Sequence, residues 1–269
     1  LNKMEISTSS VEECFMRVED LERDMTSVVP TSQSRDSDFL FRNMTQLCLA
    51  ACGDPRSKRI LDVGSGFGQD AFALASKGAS SFGTDPSLRM TNWARETYGS
   101  QVSWVQAWGE ALPFADRTFD AVLCKGSLDH FKNPDVAIFE FARVVKCEGR
   151  VVVAVANFES LSCRIARIVD LVFPRGRYGI RRPFEVPSDH FTRYDPELLL
   201  GQLSSQLSIE DIRGVSLGWG LELYSRWLAQ KSARTSRIVL NLADRLARRL
   251  PQLADVLVVT GKPRRSSIT

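Results

Sequence analysis

The segment Arg-Ile-Leu-Asp-Val-Gly-Ser-Gly-Phe-Gly-Gln-Asp, residues 59–70, decides the fold. The apolar residues Ile60, Leu61 and Val63 predict a short buried strand, and glycines follow at positions 64, 66 and 68. From Asp70 onward the composition is typical of the start of a helix. A strand, a glycine turn and a helix in this order form nucleotide pockets in α/β proteins, because glycine permits a sharp turn and close approach of a ligand.

The chain on the C-terminal side of this segment alternates strand and helix up to residue 157. Strands are predicted at residues 60–63, 80–84, 102–106, 121–124 and 151–156, followed later by 209–215 and 256–260. Strict alternation favours an α/β fold with a doubly wound, mostly parallel sheet, here of seven strands. Single helices are predicted over 161–173 and over the long stretch 221–250.

Three parts of the chain follow from this pattern. Residues 1–55 are predicted to form an N-terminal helical extension, and 56–157 are predicted to form an α/β core that binds a cofactor. Residues 158–269 add cap helices and the last strands of the sheet. This C-terminal part is basic, with 18 Lys and Arg against 11 Asp and Glu, whereas the rest of the chain is mildly acidic.

Composition excludes several classes of protein. The chain of 269 residues is 43% hydrophobic, which suffices for an ordinary core, and it has no apolar run long enough to span a membrane. Its first residues lack the apolar segment of a signal peptide. Cys48 and Cys52 lie one helical turn apart, but no second pair or nearby histidine completes a zinc site. We therefore expect buried thiols, no metal site and a cytoplasmic location.

Three features bear on which ligand the glycine loop binds. Asp62 directly precedes the loop, where a diphosphate would be repelled and an ammonium group attracted. Trp108 opens a segment, Trp-Gly-Glu-Ala-Leu-Pro-Phe, that can stack against and hydrogen-bond a purine. The third feature is the segment Phe-Asp-Ala-Val-Leu-Cys-Lys-Gly-Ser-Leu-Asp-His-Phe, residues 119–131.

Together these segments resemble the class I S-adenosylmethionine-dependent methyltransferases, in particular the small-molecule group called methyltransferase type 11. The resemblance extends in order from Arg59 to Asn157 and includes the Gly-Thr-Asp-Pro-Ser strand end at 83–87. It departs from the family at two places: Trp108 stands where many relatives have Asp, and Cys147-Glu148-Gly149 replaces Pro-Gly in an expected surface turn.

The resemblance implies S-adenosyl-L-methionine as cofactor and assigns its contacts. Asp62 and the glycine loop would lie near the methionine end, Asp85 with Pro86 at the ribose, and Lys125 with Gly126 at the pocket floor. Trp108, Gly109 and Glu110 would lie beside the adenine. The full set of expected cofactor residues is Asp62, Gly64, Ser65, Gly66, Gly68, Asp85, Pro86, Trp108, Gly109, Glu110 and Lys125. A helix cap or a solvated strand end is the alternative for the two aspartates, and a core position is the alternative for Trp108.

Both histidines of the chain occur in the same tripeptide, Asp129-His130-Phe131 and Asp189-His190-Phe191. His130 follows strand four at the sheet edge where open α/β sheets place their reactive centre. Either imidazole can take a proton from an acceptor hydroxyl or amine, so both are candidate catalytic residues. The alternatives are that His130 holds its loop to the backbone, and that His190 holds Arg193 and Tyr194 in place.

An arginine cluster in the C-terminal part bears on the substrate. It consists of Arg164, Arg167, Arg175, Arg177, Arg181 and Arg182. Arginines of this kind suit an anionic or lipid-like acceptor or peripheral membrane contact, and a solvated basic face is the alternative.

The expected function is methyl transfer to a small-molecule acceptor such as a lipid, a glycan or a natural-product intermediate. A nucleic-acid methyltransferase is the main alternative, but strand four ends in Cys-Lys-Gly-Ser rather than an Asn-Pro-Pro-Tyr type of motif. A NAD(P)-dependent oxidoreductase and a non-catalytic cofactor-binding partner protein are further alternatives. The sequence leaves the oligomeric state undetermined.

Overall fold

The structure is a computed structural model that describes residues 34–172, 183–185 and 190–264. The strands are β1 (Arg59–Val63), β2 (Ser80–Asp85), β3 (Val102–Gln106), β4 (Phe119–Lys125), β5 (Val145–Ala156), β6 (Leu207–Val215) and β7 (Val256–Pro263). The helices are α1 (Arg35–Ala51), α2 (Gln69–Ala75), α3 (Leu88–Tyr98), α4 (Pro134–Val144), α5 (Leu161–Val172), α6 (Pro196–Gln206), α7 (Glu222–Gln230) and α8 (Ala233–Arg249). The predicted helical patch at 11–25 lies outside the described residues.

All seven strands join one sheet in the order β3-β2-β1-β4-β5-β7-β6. Strands β1 to β5 are parallel, and β7 runs antiparallel to both of its neighbours. The chain leaves β1 toward β2 and β3 on one side, and β4 continues the sheet on the other side. The carboxyl ends of β1 and β4 therefore border a topological switch point, where ligands of open α/β sheets bind.

Helices cover both faces of the sheet, and each face has its own apolar core. On one face α1 and α2 contribute Leu40, Met44 and Leu74 to a cluster with β1 residue Ile60. On the other face α4 and α6 bury Phe141 and other apolar residues against β4 and β5. The central strands are buried on both sides, which explains their uninterrupted apolar sequences.

The prediction of one long helix over 221–250 is wrong, because the structure has two helices there. The helix is interrupted at Lys231 and Ser232. The Ser232 hydroxyl accepts the Thr235 backbone N–H and so caps the start of α8. The Arg35 guanidinium donates to the carbonyls of Leu228 and Lys231 at 2.9 and 2.7 Å, which fixes the break against α1. An N-cap serine inside an arginine-rich run is the sequence signal for this break.

One smaller expectation also differs from the structure, and two helices have local features of their own. The surface turn expected at 147–149 lies within β5, where the register shift between Phe119 and Ala121 accommodates the extra residues as a bulge. On α3 the Trp93 side chain is 36% exposed, because it packs on the Phe67 ring at the surface rather than on the sheet. Asn133 occupies the N-cap position of α4 but makes no side-chain capping bond.

Two whole-chain expectations concern thiols and the membrane. Within the described ranges the cysteines are free, and all of them except the exposed Cys147 are buried. None of the helices in the described part of the chain is both long enough and apolar enough to cross a bilayer.

Candidate functional site

The glycine loop joins β1 to α2 and leaves an open space above the sheet. Gly64 and Gly66 have φ angles of +68° and +49°, which L side chains rarely adopt. A Cβ on Gly64 would lie 2.5 Å from the Ser127 hydroxyl, so the loop there packs closely on the β4 end. A Cβ on Gly66 would meet nothing within 4 Å. Gly66 therefore presents bare backbone to an open crevice.

Asp85, at the end of β2, holds this loop in place. Its Oδ2 accepts the Gly66 backbone N–H at 2.9 Å, and its Oδ1 accepts the Ser87 backbone N–H at 2.9 Å. The second bond fixes the turn that contains Pro86 and leads into α3. Each of the two carboxylate oxygens thus accepts a backbone N–H and fixes the β2 end against the glycine loop.

Asp62 is buried behind the loop and accepts a backbone hydrogen bond from Ala71, so it caps the start of α2. Burial, and secondarily the nearby Asp70 carboxylate, raises the pKa of Asp62 well above its usual range. Lys125, at the end of β4, opposes this shift, but its Nζ lies 2.5 Å from Asp70 and donates to the Thr45 hydroxyl at 2.7 Å. The predicted floor residue Lys125 is thus part of an ion pair that joins β4 to α1 and α2.

The segment after β3 packs against the N-terminal part of α4. Glu110 Oε1 accepts the Asn133 backbone N–H at 3.3 Å, and Glu140 accepts the Leu112 backbone N–H at 2.9 Å. Trp108 is partly buried, so its exposure is intermediate between that expected for a stacking surface and that expected for a core position. Contacts to α4 therefore determine the path of the expected adenine segment.

Phe131 connects the two predicted halves of the cofactor site. A Cβ on Gly109 would lie 2.5 Å from its ring, and a Cβ on Gly64 would lie 3.8 Å from it. Ser127, four residues earlier, donates from its hydroxyl to the Val63 carbonyl at 3.1 Å. The segment 126–131 thus lies between the glycine loop and the adenine segment, and the structure brings the predicted cofactor residues to one edge of the sheet.

The two histidines are also brought together, although 60 residues of sequence separate them. The ring centroids of His130 and His190 are 4.1 Å apart, and His190 Nε2 lies 2.9 Å from Asp129 Oδ2. The backbone N–H groups of Phe191 and Thr192 both donate to the Asp129 carbonyl, at 2.8 and 3.2 Å. His190 therefore contacts the β4 end and lies beside the segment that borders the glycine loop.

The arginine cluster falls partly within the described residues. Arg167 donates to Glu159 Oε2 at 2.8 Å, and Arg164 donates to the Glu159 carbonyl at 2.9 Å. Arg193 donates to Glu159 Oε1 at 2.7 Å. These contacts stabilise the β5–α5 junction, so these arginines serve the fold. Arg175, Arg177, Arg181 and Arg182 lie outside the described residues.

Sequence reasoning missed four residues of this site. For Asp129 the sequence did contain a signal, because the tripeptide Asp-His-Phe occurs around both histidines. Ser127 and Asp70 adjoin predicted residues but carried no signal of their own. Thr45, on α1, contacts Lys125 across 80 residues of sequence, and no local pattern could have identified it.

Comparison with known proteins shows which family the chain resembles. A family profile described as a methyltransferase domain matches residues 61–153. The uncharacterized methyltransferase YcgJ of Bacillus subtilis is 34% identical over 34% of this chain and 38% of its own length. Its crystal structure has a TM-score of 0.55 and covers 84% of this chain and all of that one at 20% identity, which shows a shared fold.

Two further relatives carry more specific names. A demethylmenaquinone methyltransferase of Corynebacterium kroppenstedtii is 35% identical over 48% of this chain and 53% of its own length. A ubiquinone biosynthesis O-methyltransferase of Dechloromonas aromatica is 32% identical over 56% of this chain and 70% of its own length. The chain thus spans about half or less of the first two relatives and more than two thirds of the third. It belongs to the class I S-adenosylmethionine-dependent methyltransferases.

Proposed function

We propose that this protein transfers a methyl group from S-adenosyl-L-methionine to a small-molecule acceptor. The observation that carries the proposal is the open crevice at Gly66, bordered by carboxylates at the ends of β1 and β2. Asp62, Asp70 and Asp85 with Lys125 give this end of the sheet an excess of negative charge. Such a crevice suits a ligand that carries an ammonium and a sulfonium group.

The residues present fit this cofactor. The bare backbone at Gly66 and Gly126, where an added Cβ would meet nothing within 4 Å, leaves room for a ligand along the β1 and β4 ends. In this proposal Asp85 accepts hydrogen bonds from the ribose hydroxyls, and Gly109 and Glu110 lie beside the adenine. Asp62 acts through the loop, because its carboxyl group is buried and caps α2.

The protein's part in the reaction is alignment and removal of a proton. When bound, the cofactor would supply an electrophilic methyl group for in-line attack by the acceptor, and its sulfur would keep the electrons of the bond that breaks. An acceptor hydroxyl also loses a proton, and a neutral imidazole of His130 or His190 can accept it. The 2.9 Å contact from Asp129 to His190 orients that ring.

The acceptor is proposed to be apolar and lipid-like. The names of the relatives from C. kroppenstedtii and D. aromatica refer to menaquinone and ubiquinone. The first helix after β5, α5, exposes an apolar stripe that includes Ile165, Ile168, Val169 and Val172. A nucleic-acid acceptor is less well supported, because Arg164 and Arg167 already hydrogen-bond the carbonyl and the carboxylate of Glu159.

Calorimetric titration with S-adenosylhomocysteine tests the cofactor site, using Gly66→Ala and Gly99→Ala as a matched pair. Both glycines have positive φ angles, +49° and +59°, and an added Cβ would meet nothing within 4 Å at either position. Backbone strain costs about 1 kcal/mol or more in each variant, and more at Gly99, where ψ is −140°. Only the position 66 variant places a methyl group in the proposed crevice, and we expect it to lose at least tenfold in affinity.

Equal binding by both variants, or no binding by the wild type, would overturn the placement of the cofactor. Methyl transfer is then tested with labelled cofactor and a panel of hydroxylated quinols and fatty acids, followed by mass spectrometry of the products. Transfer to RNA and to none of these compounds would replace the proposed acceptor class.

A further inference from the structure

A cluster of potential metal ligands lies at the carboxyl end of β4. It consists of Asp129, His130 and His190, and one ligand atom from each lies within 4.8 Å of the other two. Asp129 Oδ2 and His190 Nε2 are 2.9 Å apart. Two ligands bound at about 2.1 Å from one ion are about 3.0 Å apart when they subtend a right angle, so this pair already has the spacing of neighbouring ligands.

The 2.9 Å contact also fits a simple hydrogen bond, and two further observations favour an ion. Asp129 is only 4% exposed, and no donor in the described part of the chain reaches its Oδ1. A buried carboxylate oxygen without a partner is costly, and a cation in the cluster would satisfy it. In addition, the ring centroids of His130 and His190 are 4.1 Å apart. A hydrogen bond between Asp129 and His190 alone does not require His130 at this position.

The backbone holds the cluster in place. His130 lies in a short 3₁₀ turn, Leu128–His130, in which its N–H donates to the Ser127 carbonyl at 3.0 Å. The His190 segment is held by two N–H bonds to the Asp129 carbonyl. Ligands fixed by the backbone lose little conformational freedom when an ion binds, which favours affinity.

We propose that Asp129, His130 and His190 bind a divalent transition-metal ion. Two imidazoles and one carboxylate suit zinc or ferrous iron rather than magnesium or calcium, and three protein ligands leave a position open for an exogenous oxygen. Binding of the ion does not depend on the proposed methyl transfer, but the role given to the ion rests on that proposed function. If an acceptor hydroxyl binds at the open position, the ion lowers the pKa of that hydroxyl, so the proton can leave to water and the imidazoles act as ligands.

The absence of other histidines makes the site directly observable. The chain has two histidines, so imidazole NMR signals report on this cluster alone. Tag-free full-length protein is labelled at the histidine rings and titrated with Zn²⁺ by NMR and by calorimetry. Cys147, which is exposed, and Cys14 are first replaced by serine to prevent binding of zinc to thiols.

We expect one Zn²⁺ per chain and simultaneous displacement of both histidine signals. His190→Ala and Asp129→Asn should each weaken binding by more than about tenfold. Asp135→Asn is the matched control, because its carboxylate is exposed near the same loop and should leave binding unchanged. Thermal unfolding of each variant shows whether the fold is intact; Asp129→Asn preserves the side-chain shape and serves if His190→Ala does not fold.

Absence of zinc binding, or binding that leaves the histidine signals and the affinities of these variants unchanged, would overturn the metal site. That result would leave direct proton transfer to a histidine and the proposed cofactor site intact. Conversely, zinc bound as expected by a protein that fails to bind S-adenosylhomocysteine would retain the metal site and refute the proposed function.

Discussion

Asp62 is a single residue of the proposed site that lowers the folding stability of the protein. Its carboxylate is 3% exposed and lies near Asp70, and burial raises its pKa. An acid whose folded-state pKa is raised binds more protons in the folded than in the unfolded state. Folding stability due to this group is therefore full below the ordinary aspartate pKa and falls as the pH rises toward the raised value.

Asp62→Asn should consequently stabilise the free protein while weakening cofactor binding. The amide can still accept the Ala71 N–H, so α2 remains capped, but the buried charge is removed. We expect a gain of about 1–3 kcal/mol in unfolding free energy at pH 8 that shrinks as the pH falls toward 4. Urea unfolding at several pH values measures it, and calorimetry with S-adenosylhomocysteine measures the accompanying loss.

Asp211→Asn is the control for this pair of effects. Its carboxylate is exposed at β6 and pairs with Arg213, so both measurements should stay near wild type. A destabilised Asp62→Asn protein, or one with unchanged cofactor affinity, would contradict the role given to Asp62.

The residues that sequence could identify are those whose role is local. The glycines and Asp85 act within one turn, and their spacing along the chain predicts their position. The ion pair of Lys125 with Asp70 and the contact with Thr45 depend on how α1 and α2 pack, so the type of residue at 125 did not reveal its partners.

Asp255 at the start of β7 determines how several elements meet. Its Oδ1 accepts the Ser162 hydroxyl of α5 at 2.5 Å, and its Oδ2 accepts the Trp219 backbone N–H at 2.9 Å. The Ser162 hydroxyl in turn accepts the Gly218 N–H at 2.9 Å. Burial raises the pKa of Asp255 to about 6, although these donors oppose the shift. One carboxylate thus joins α5, the 216–219 loop and β7.

Asp255→Ala should cost about 2–4 kcal/mol of unfolding free energy, because it leaves buried donors without an acceptor. Urea unfolding followed by circular dichroism measures this loss. Asp211→Ala removes an exposed carboxylate from the neighbouring strand and should change stability by less than about 0.5 kcal/mol. Similar losses in the two variants would show that the Asp255 contacts do not hold these elements together.

Elements of the α/β core were easier to predict than the helices around them. Apolar runs and turn residues place β1 to β4 within two residues and locate the C-terminal half of β5, since a buried strand requires an apolar sequence. The N-cap Ser232 is a local signal for the α7–α8 break, but the break also depends on Arg35 binding two carbonyls across almost 200 residues, a contact that no local pattern contains. The helix prediction over 221–250 failed for that reason.

On the scale of the whole molecule, α8 presents an apolar and basic surface to solvent. Leu240 and Ala247 face the protein, whereas Ile238, Leu242 and Leu246 are 51%, 58% and 48% exposed. Five exposed arginines accompany this stripe, of which Arg248 pairs with Asp244: Arg234, Arg237, Arg245, Arg248 and Arg249. Such a helix suits the surface of an anionic membrane, which fits the proposed lipid-like acceptor.

The protein should therefore sediment with phosphatidylglycerol vesicles and much less with phosphatidylcholine vesicles, and high salt should weaken the binding. Ile238→Ser with Leu242→Ser should reduce binding at least tenfold, because it removes the exposed apolar stripe. Phe139→Ser is the matched control, since that side chain is 52% exposed on α4. Equal binding to both kinds of vesicle, or an equal effect of the control, would rule out docking through α8.

The position of Phe131 has a consequence for the order of events during turnover. Its ring borders Gly64 and Gly109, and the residue before it belongs to the histidine cluster. A cofactor that fills the space beside those glycines rests against the same short segment that carries the acceptor chemistry. We therefore expect initial-rate kinetics to show an ordered reaction in which the cofactor binds before the acceptor and its demethylated product leaves last.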